Sequence, residues 1–306
     1  MAGQPVGRRV GGGLLTRLLT RLLVGRSPHL KGLVLTTAGV LVISPDTLLI
    51  RLVGADVWTL SLWRDVLLAA VLGSAQLLRH RGRVLTVYRD LGRRGLLAGG
   101  LSGIGTIFFV AAVSHTTVAN VLIIIGAAPL IAALLRRTFL GEHVPVRTWI
   151  AILGAVGGIA VTVGGSIQGP QPGDLFALGA VLFLSAYLTT VRSAGDVDMT
   201  PCIVISGLVA AALAWPFAEP GSVPSEGVVP LLLSVIVIPL SFALITLGPR
   251  YLPAHEVALI GLLETILGTY LVWLVLDEHP GSAAIFGGAI VMVVLAAHSV
   301  VALRAD

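Results

Sequence analysis

Apolar residues in this chain come in long blocks rather than in alternation. No Asp, Glu, Lys or Arg occurs between Arg94 and Arg136, between Arg147 and Asp174, or between Glu226 and Arg250. A helix rises about 1.5 Å per residue, so about 20 mainly apolar residues cross a hydrocarbon core about 30 Å thick. Cutting the blocks at charges, prolines and glycine clusters predicts an all-α integral membrane protein of ten spans. They fall at 31–52, 57–78, 95–114, 117–137, 147–166, 173–193, 201–218, 228–248, 254–275 and 281–303. The uncharged stretch from 95 to 135 would be about twice too long for one span, and Ser114-His115-Thr116-Thr117 supplies the turn that divides it.

Ahead of the first span, residues 1–30 form a basic segment in which leucines at 14, 15, 18, 19, 22 and 23 share one helical face opposite Arg17 and Arg21. This pattern predicts an amphipathic helix lying on the membrane surface. Arginines interrupt every apolar stretch there, which argues against a cleaved secretory signal. An organelle transit peptide stays open, since Asp46 is the first acidic residue.

Composition agrees: 56% apolar and 11% charged residues with a mean hydropathy of +0.98 exclude a soluble globular chain. A pI near 10.1 could suggest nucleic acid, but the basic residues sit in short segments between apolar blocks, where they orient the chain in a bilayer. No nucleic-acid partner is expected. With the N-terminus in the cytoplasm, the inner segments collect eighteen Lys and Arg, and the outer ones only Arg51. Both termini are therefore expected on the cytoplasmic side of a bacterial or archaeal cell membrane. Cys202 is the single cysteine, and no Cys/His cluster suggests a metal or other cofactor.

Sliding the chain on itself by 136 residues lays Leu140-Gly141-Glu142-His143 on Leu276-Asp277-Glu278-His279. An odd number of spans per half inverts the second copy, so the prediction is two inverted five-helix repeats, 31–166 and 173–303. Taken singly, Glu142 and Glu278 read as loop or helix-start residues.

The chain resembles the drug/metabolite transporter superfamily, in particular its ten-helix EamA-type permeases. The resemblance rests on Leu62-Trp63-Arg64, on Gly126-Ala127-Ala128-Pro129-Leu130 leading into Leu140-Gly141-Glu142, and on Leu262-Leu263-Glu264. Where that family commonly has Glu-Pro, this chain has Glu264-Thr265, which removes a source of kinking. The resemblance implies a secondary transporter of small metabolites, commonly an exporter, with no bound cofactor.

Ionisable groups within spans are costly, about 2.5 to 3.5 kcal/mol each, and turn toward partners or a wet cavity. Four are present: Asp46, Arg64, Asp65 and Glu264. Asp46 and Arg64 each lie about 10 Å below the outer surface and are expected to pair, either as part of a substrate pathway or as a lock between helices. Pro45 is expected to kink the first span, and Pro129 and Pro239 to interrupt the fourth and eighth. Glu264 falls near the midplane, where a carboxyl can exchange protons with alternating water or stay a neutral hydrogen-bond donor. Asn120 and Tyr187 are candidates to line the same cavity or to hold helices together. Gly154 and Gly158 form a small-residue packing seam.

Two rival readings are set against alternating access by a secondary transporter. Gly100-Leu101-Ser102-Gly103 with His298 could form the Ser-His dyad of an intramembrane serine protease. A non-transporting membrane scaffold would tolerate apolar replacements of Asp46, Arg64 and Glu264. The sequence leaves substrate, coupling ion and oligomeric state open.

Overall fold

The computed structural model describes residues 28–80, 82, 84–141, 143–165, 170–194, 197, 199–247, 251–252 and 254–303. The amphipathic segment at 14–23 and Glu142 lie outside them. The described residues are helical: α1 (Pro28–Ile43), α2 (Asp46–Val53), α3 (Val57–His80), α4 (Val84–His115), α5 (Val118–Gly126), α6 (Ala128–Leu140), α7 (Val146–Gly164), α8 (Pro172–Ser193), α9 (Cys202–Ala214), α10 (Val228–Leu247), α11 (Ala254–Leu276) and α12 (Ser282–Leu303). A 3-10 turn at Trp215–Phe217 extends α9. In hydrocarbon a helix satisfies its own backbone, which is why long apolar blocks adopt this form. Among the described residues, six helical stretches are long and apolar enough to cross a membrane: 29–53, 57–80, 84–115, 118–139, 146–164 and 172–191. Four shorter apolar stretches follow, in α9, α10, α11 and α12.

Two of these rods are broken, for reasons written in the sequence. Ser44 precedes a proline, a position that disfavours helical backbone, and helical bonding resumes with Leu49 N–H donating to Pro45 O. The first rod is thus α1 plus α2. In the second, Pro129 has no N–H to offer the carbonyl of Ile125, four residues back. That carbonyl accepts from the N–H of Ala127 instead, and the helix divides there into α5 and α6. The expected interruption at Pro239 is not observed, because α10 continues through it. Packed neighbours hold α10 along α1, α2 and α3, and a membrane helix tolerates one freed carbonyl when other groups surround it. Helical backbone also begins earlier than expected before the third span, at Val84, with a non-helical step at Gly92 (φ 55°) that glycine permits.

The two halves use their backbone alike. α6 ends at Leu140 and α11 at Leu276, and the next residues, Gly141 (φ 67°) and Asp277 (φ 54°), both take the left-handed conformation. α7 starts at Val146 and α12 at Ser282, again 136 residues apart. Packing follows suit. α4 lies on α8 as α10 lies on α1 and α2; α5 and α6 touch α8 as α11 touches α1 and α2; α3 meets α9, and α7 meets α12. The α7–α12 contact is the glycine seam, so close that a Cβ on Gly158 would come 2.8 Å from the Gly287 carbonyl.

Hydrogen bonds between loops and helix tips define two ends. One gathers Arg51, Asp56, Thr59, Thr116, Asp174, Glu219 and Glu278. The other carries the basic groups: Arg94 donates to Ser193 O, Arg147 to Val301 O, and Arg137 stacks 5.5 Å from the Trp149 ring centre.

Candidate functional site

Three of the four intramembrane charges converge around the break between α1 and α2. Asp46 opens α2 just past Pro45 and is 4% exposed; Arg64, two turns into α3, is 6% exposed. The Arg64 Nη2 donates to Asp46 Oδ2 over 2.7 Å, so the expected ion pair is present. It uses half of each group. Asp46 Oδ1 and Arg64 Nη1 find no hydrogen-bond partner among the described residues, and neither do the buried hydroxyls of Thr47 and Ser61. Asp65 is 1% exposed with both carboxyl oxygens unpartnered among them. Its backbone carbonyl lies against α9, where a Cβ on Gly207 would come 2.8 Å from it.

α11 closes the cluster from the other half. Gly268 sits against the break itself: a Cβ there would come 2.7 Å from Leu122 Cδ1, 3.4 Å from Ser44 O and 3.5 Å from the Thr47 hydroxyl. One turn earlier on the same helix, Glu264 is half-buried and makes no hydrogen bond to a described residue. α11 runs unbroken from Ala254 to Leu276. By the 136-residue register Glu264-Thr265 occupies the place of Ala128-Pro129, so the half with proline is broken and the half without is straight.

The other two polar candidates lie elsewhere. Asn120, 3% exposed, donates through Nδ2 to Asp174 Oδ1 (3.0 Å) and contacts Thr116 Oγ1 (3.4 Å) at the non-basic end. Its short side chain is committed there by the start of α5. Tyr187 packs with Leu91, Ala98, Ala194, Met199 and Cys202 between α4, α8 and α9, and its hydroxyl engages the Cys202 thiol. It is a packing residue near the basic end of α8, not part of the Asp46 cluster.

A second polar constellation, which the sequence reading missed, spans the non-basic end. Arg51 pairs with Glu278 (3.2 Å) and donates to Thr116 O (2.6 Å); Glu278 Oε1 accepts from Val118 N–H (2.8 Å). Thr116 donates to Asp174 Oδ1 (2.7 Å), and Asp174 Oδ2 accepts from Gln171 N–H (2.8 Å). Glu278 therefore starts a helix as expected, but that helix is α5, 160 residues away, where a carboxylate meets the positive end of the helix dipole. The network ties α2, α5, α8 and the α11–α12 loop together at the non-basic end. Arg51 and Asp174 look like ordinary tip residues in sequence; only their meeting in space gives them this role.

Ser102 and His298 make no hydrogen bond to each other among the described residues. Ser102 accepts a hydrogen bond from the Ser206 hydroxyl (2.9 Å), and His298 Nδ1 has no partner among the described residues. No group of three metal-ligating side chains occurs among them either.

Residues 30–164 and again 171–299 match the EamA-like transporter family. The chain belongs to the EamA-like transporter family and is an integral membrane protein. A solved structure described only as "Crystal structure of protein" superposes with a TM-score of 0.62 over 90% of this chain and 98% of that one at 19% identity, which bears on the fold alone. No curated protein matches the chain.

Proposed function

We propose that the protein is a secondary transporter that exports small metabolites by alternating access, with proton exchange at Glu264. In this reading the ten helical rods all cross the bilayer, as two five-helix halves inverted relative to each other, with the basic end and both termini in the cytoplasm. Support for inversion comes from Arg51 and Asp174. The first rod of one half ends where the first helix of the other begins, so the two run in opposite directions. Support for the orientation is the segregation of Arg79, Arg93, Arg94, Arg137 and Arg147 to one end.

The observation that carries the proposal is the buried Asp46–Arg64 pair at a helix break, with polar atoms on both partners uncommitted among the described residues and α11 of the opposite half, which carries Glu264 one turn from Gly268, packed against the break. A lock between two helices has no need of unused donors and acceptors, and each unpaired polar atom in a dry interior costs free energy. A site that receives a polar solute has both. In this reading the Arg51–Glu278–Asp174 network serves as a plug at the non-basic end, so the cluster opens toward the cytoplasm first and outward when the plug parts.

The test is reconstitution in liposomes with a panel of labelled metabolites, with and without a pH gradient, for the wild type, Glu264→Gln and Arg64→Gln. At least one solute should move in the wild type, the gradient should accelerate it, Glu264→Gln should lose only the acceleration, and Arg64→Gln should lose uptake. Gradient-driven transport unchanged in Glu264→Gln would refute the coupling, and full activity after apolar replacement of Asp46, Arg64 and Glu264 would refute the site.

A further inference from the structure

A groove opens on the lipid-facing flank between α11 and α12, floored by Ala119 and Ile123 of α5. Thr265, Thr269, Tyr270 and Trp273 line one wall, and Ala284, Gly288, Ala289 and Met292 the other. Its volume is about 330 Å³. From Thr265 to Trp273, and from Ala284 to Met292, it runs eight residues, about 12 Å along each helix. That is close to the depth of one leaflet of a hydrocarbon core about 30 Å thick. The mouth lies at the non-basic end, where Trp273 and His279 rings pack 5.5 Å apart and Trp273 and Tyr270 meet edge to face, the aromatic arrangement of a membrane interface.

The two repeats carry different residues at the positions that line this opening. Shifting by 136 places Thr148, Ile152 and Leu153 where the groove has Ala284, Gly288 and Ala289, and Arg137 and Trp149 where it has Trp273 and Ile285. In the first half Arg137 and Trp149 stack on each other, and Ile152 and Leu153 are larger than their counterparts Gly288 and Ala289. In the second half Ala284, Gly288 and Ala289 line the open groove.

We infer that this groove binds one acyl chain of a phospholipid from the leaflet at the non-basic end. The groove, about 330 Å³ over about 12 Å, has room for a single hydrocarbon chain lying along it. The lining is apolar apart from the hydroxyls of Thr265, Thr269 and Tyr270, and its open side faces the medium in which acyl chains are the solvent. A chain held there wedges α11 apart from α12 and so bears directly on the helix that carries Glu264. The inference rests on α11 and α12 crossing the bilayer, as proposed above, and stands whether or not the protein transports.

The experiment uses the full chain in phosphatidylethanolamine vesicles doped with a phosphatidylcholine bearing a photoactivatable diazirine midway along one acyl chain, with adducts mapped by mass spectrometry. Adducts should concentrate on residues 265–273 and 284–292 relative to Ile150 and Leu153, which are equally lipid-facing on α7. Ala289→Leu and Ile285→Trp, which install the first half's Leu153 and Trp149 at the matching positions, should each reduce groove adducts several-fold while leaving α7 adducts unchanged. Both positions are exposed, so the larger side chains project into the groove; Gly288 is not used, because a Cβ there would come 2.9 Å from Ile123. Even labelling of α7 and the groove, groove adducts unchanged in both variants, or protein-to-protein crosslinks through the groove in place of lipid adducts would each overturn the inference.

Discussion

Removing one partner of the Asp46–Arg64 pair should destabilise the protein far more than removing both. At 2.7 Å and an effective dielectric of about 20, the attraction between the two charges is about 6 kcal/mol. Both side chains are only 6 to 7% exposed, so each ion has also lost several kcal/mol of hydration, and the pair as a whole contributes little net stability. Asp46→Asn strands a buried guanidinium and Arg64→Gln strands a buried carboxylate; each should cost about 3 to 5 kcal/mol. The double variant carries neither charge and should fall within about 1 kcal/mol of the wild type, giving a coupling energy larger than the net value of the pair. Unfolding by steric trapping or by denaturant in mixed micelles measures all four corners of the cycle. If the single variants cost less than about 1 kcal/mol, or the double variant equals the sum of the singles, the charges are solvated in the membrane and the burial argument fails.

Other expectations follow from single contacts. Asp56 accepts from the N–H groups of Trp58 and Thr59 at the start of α3; burial alone would raise its pKa, but these hydrogen bonds outweigh it and hold the carboxyl below its ordinary value. Its capping contribution should therefore be complete above about pH 4 and fade as the pH falls through the depressed folded pKa, and Asp56→Ala, at about 1 kcal/mol, should abolish that acid dependence in a pH series of melting curves. Gly158→Ala should cost about 1 to 3 kcal/mol in thermal melts by forcing α7 off α12, whereas Gly157→Ala, which meets open space, should not. Glu278→Gln should weaken the plug and expose a cysteine placed at Thr116 to a membrane-impermeant thiol reagent added from the non-basic side; unchanged protection would show that the plug does not depend on this ion pair. Ser102→Ala should leave metabolite transport intact, since the side chain only accepts from Ser206.

Much of the architecture was readable along the chain. Charge-free blocks of about 20 residues can be accommodated in few ways, because hydrocarbon offers no partner for an exposed backbone, and the spans expected at 57–78, 173–193, 228–248, 254–275 and 281–303 lie within two residues of the helices α3, α8, α10, α11 and α12. The breaks at Pro45 and Pro129 are local consequences of a missing N–H, and the pairing of Asp46 with Arg64 follows from depth, since two opposite charges at one level in oil have few other partners. Pro239 shows the limit of local reasoning: the same missing N–H breaks one helix and leaves another continuous, depending on what packs around it. Depth likewise said nothing about azimuth, so Asn120 and Tyr187 shared the membrane with Asp46 without sharing its cluster. Arg51, Asp174 and Glu278 came together only through loops far apart in sequence. Hydropathy measures how deep a residue sits, a one-dimensional property each short segment carries within itself. Which face meets which, and whether small residues leave a groove or close a seam, depends on the packing of helices more than a hundred residues apart, and that is settled only when the two halves assemble.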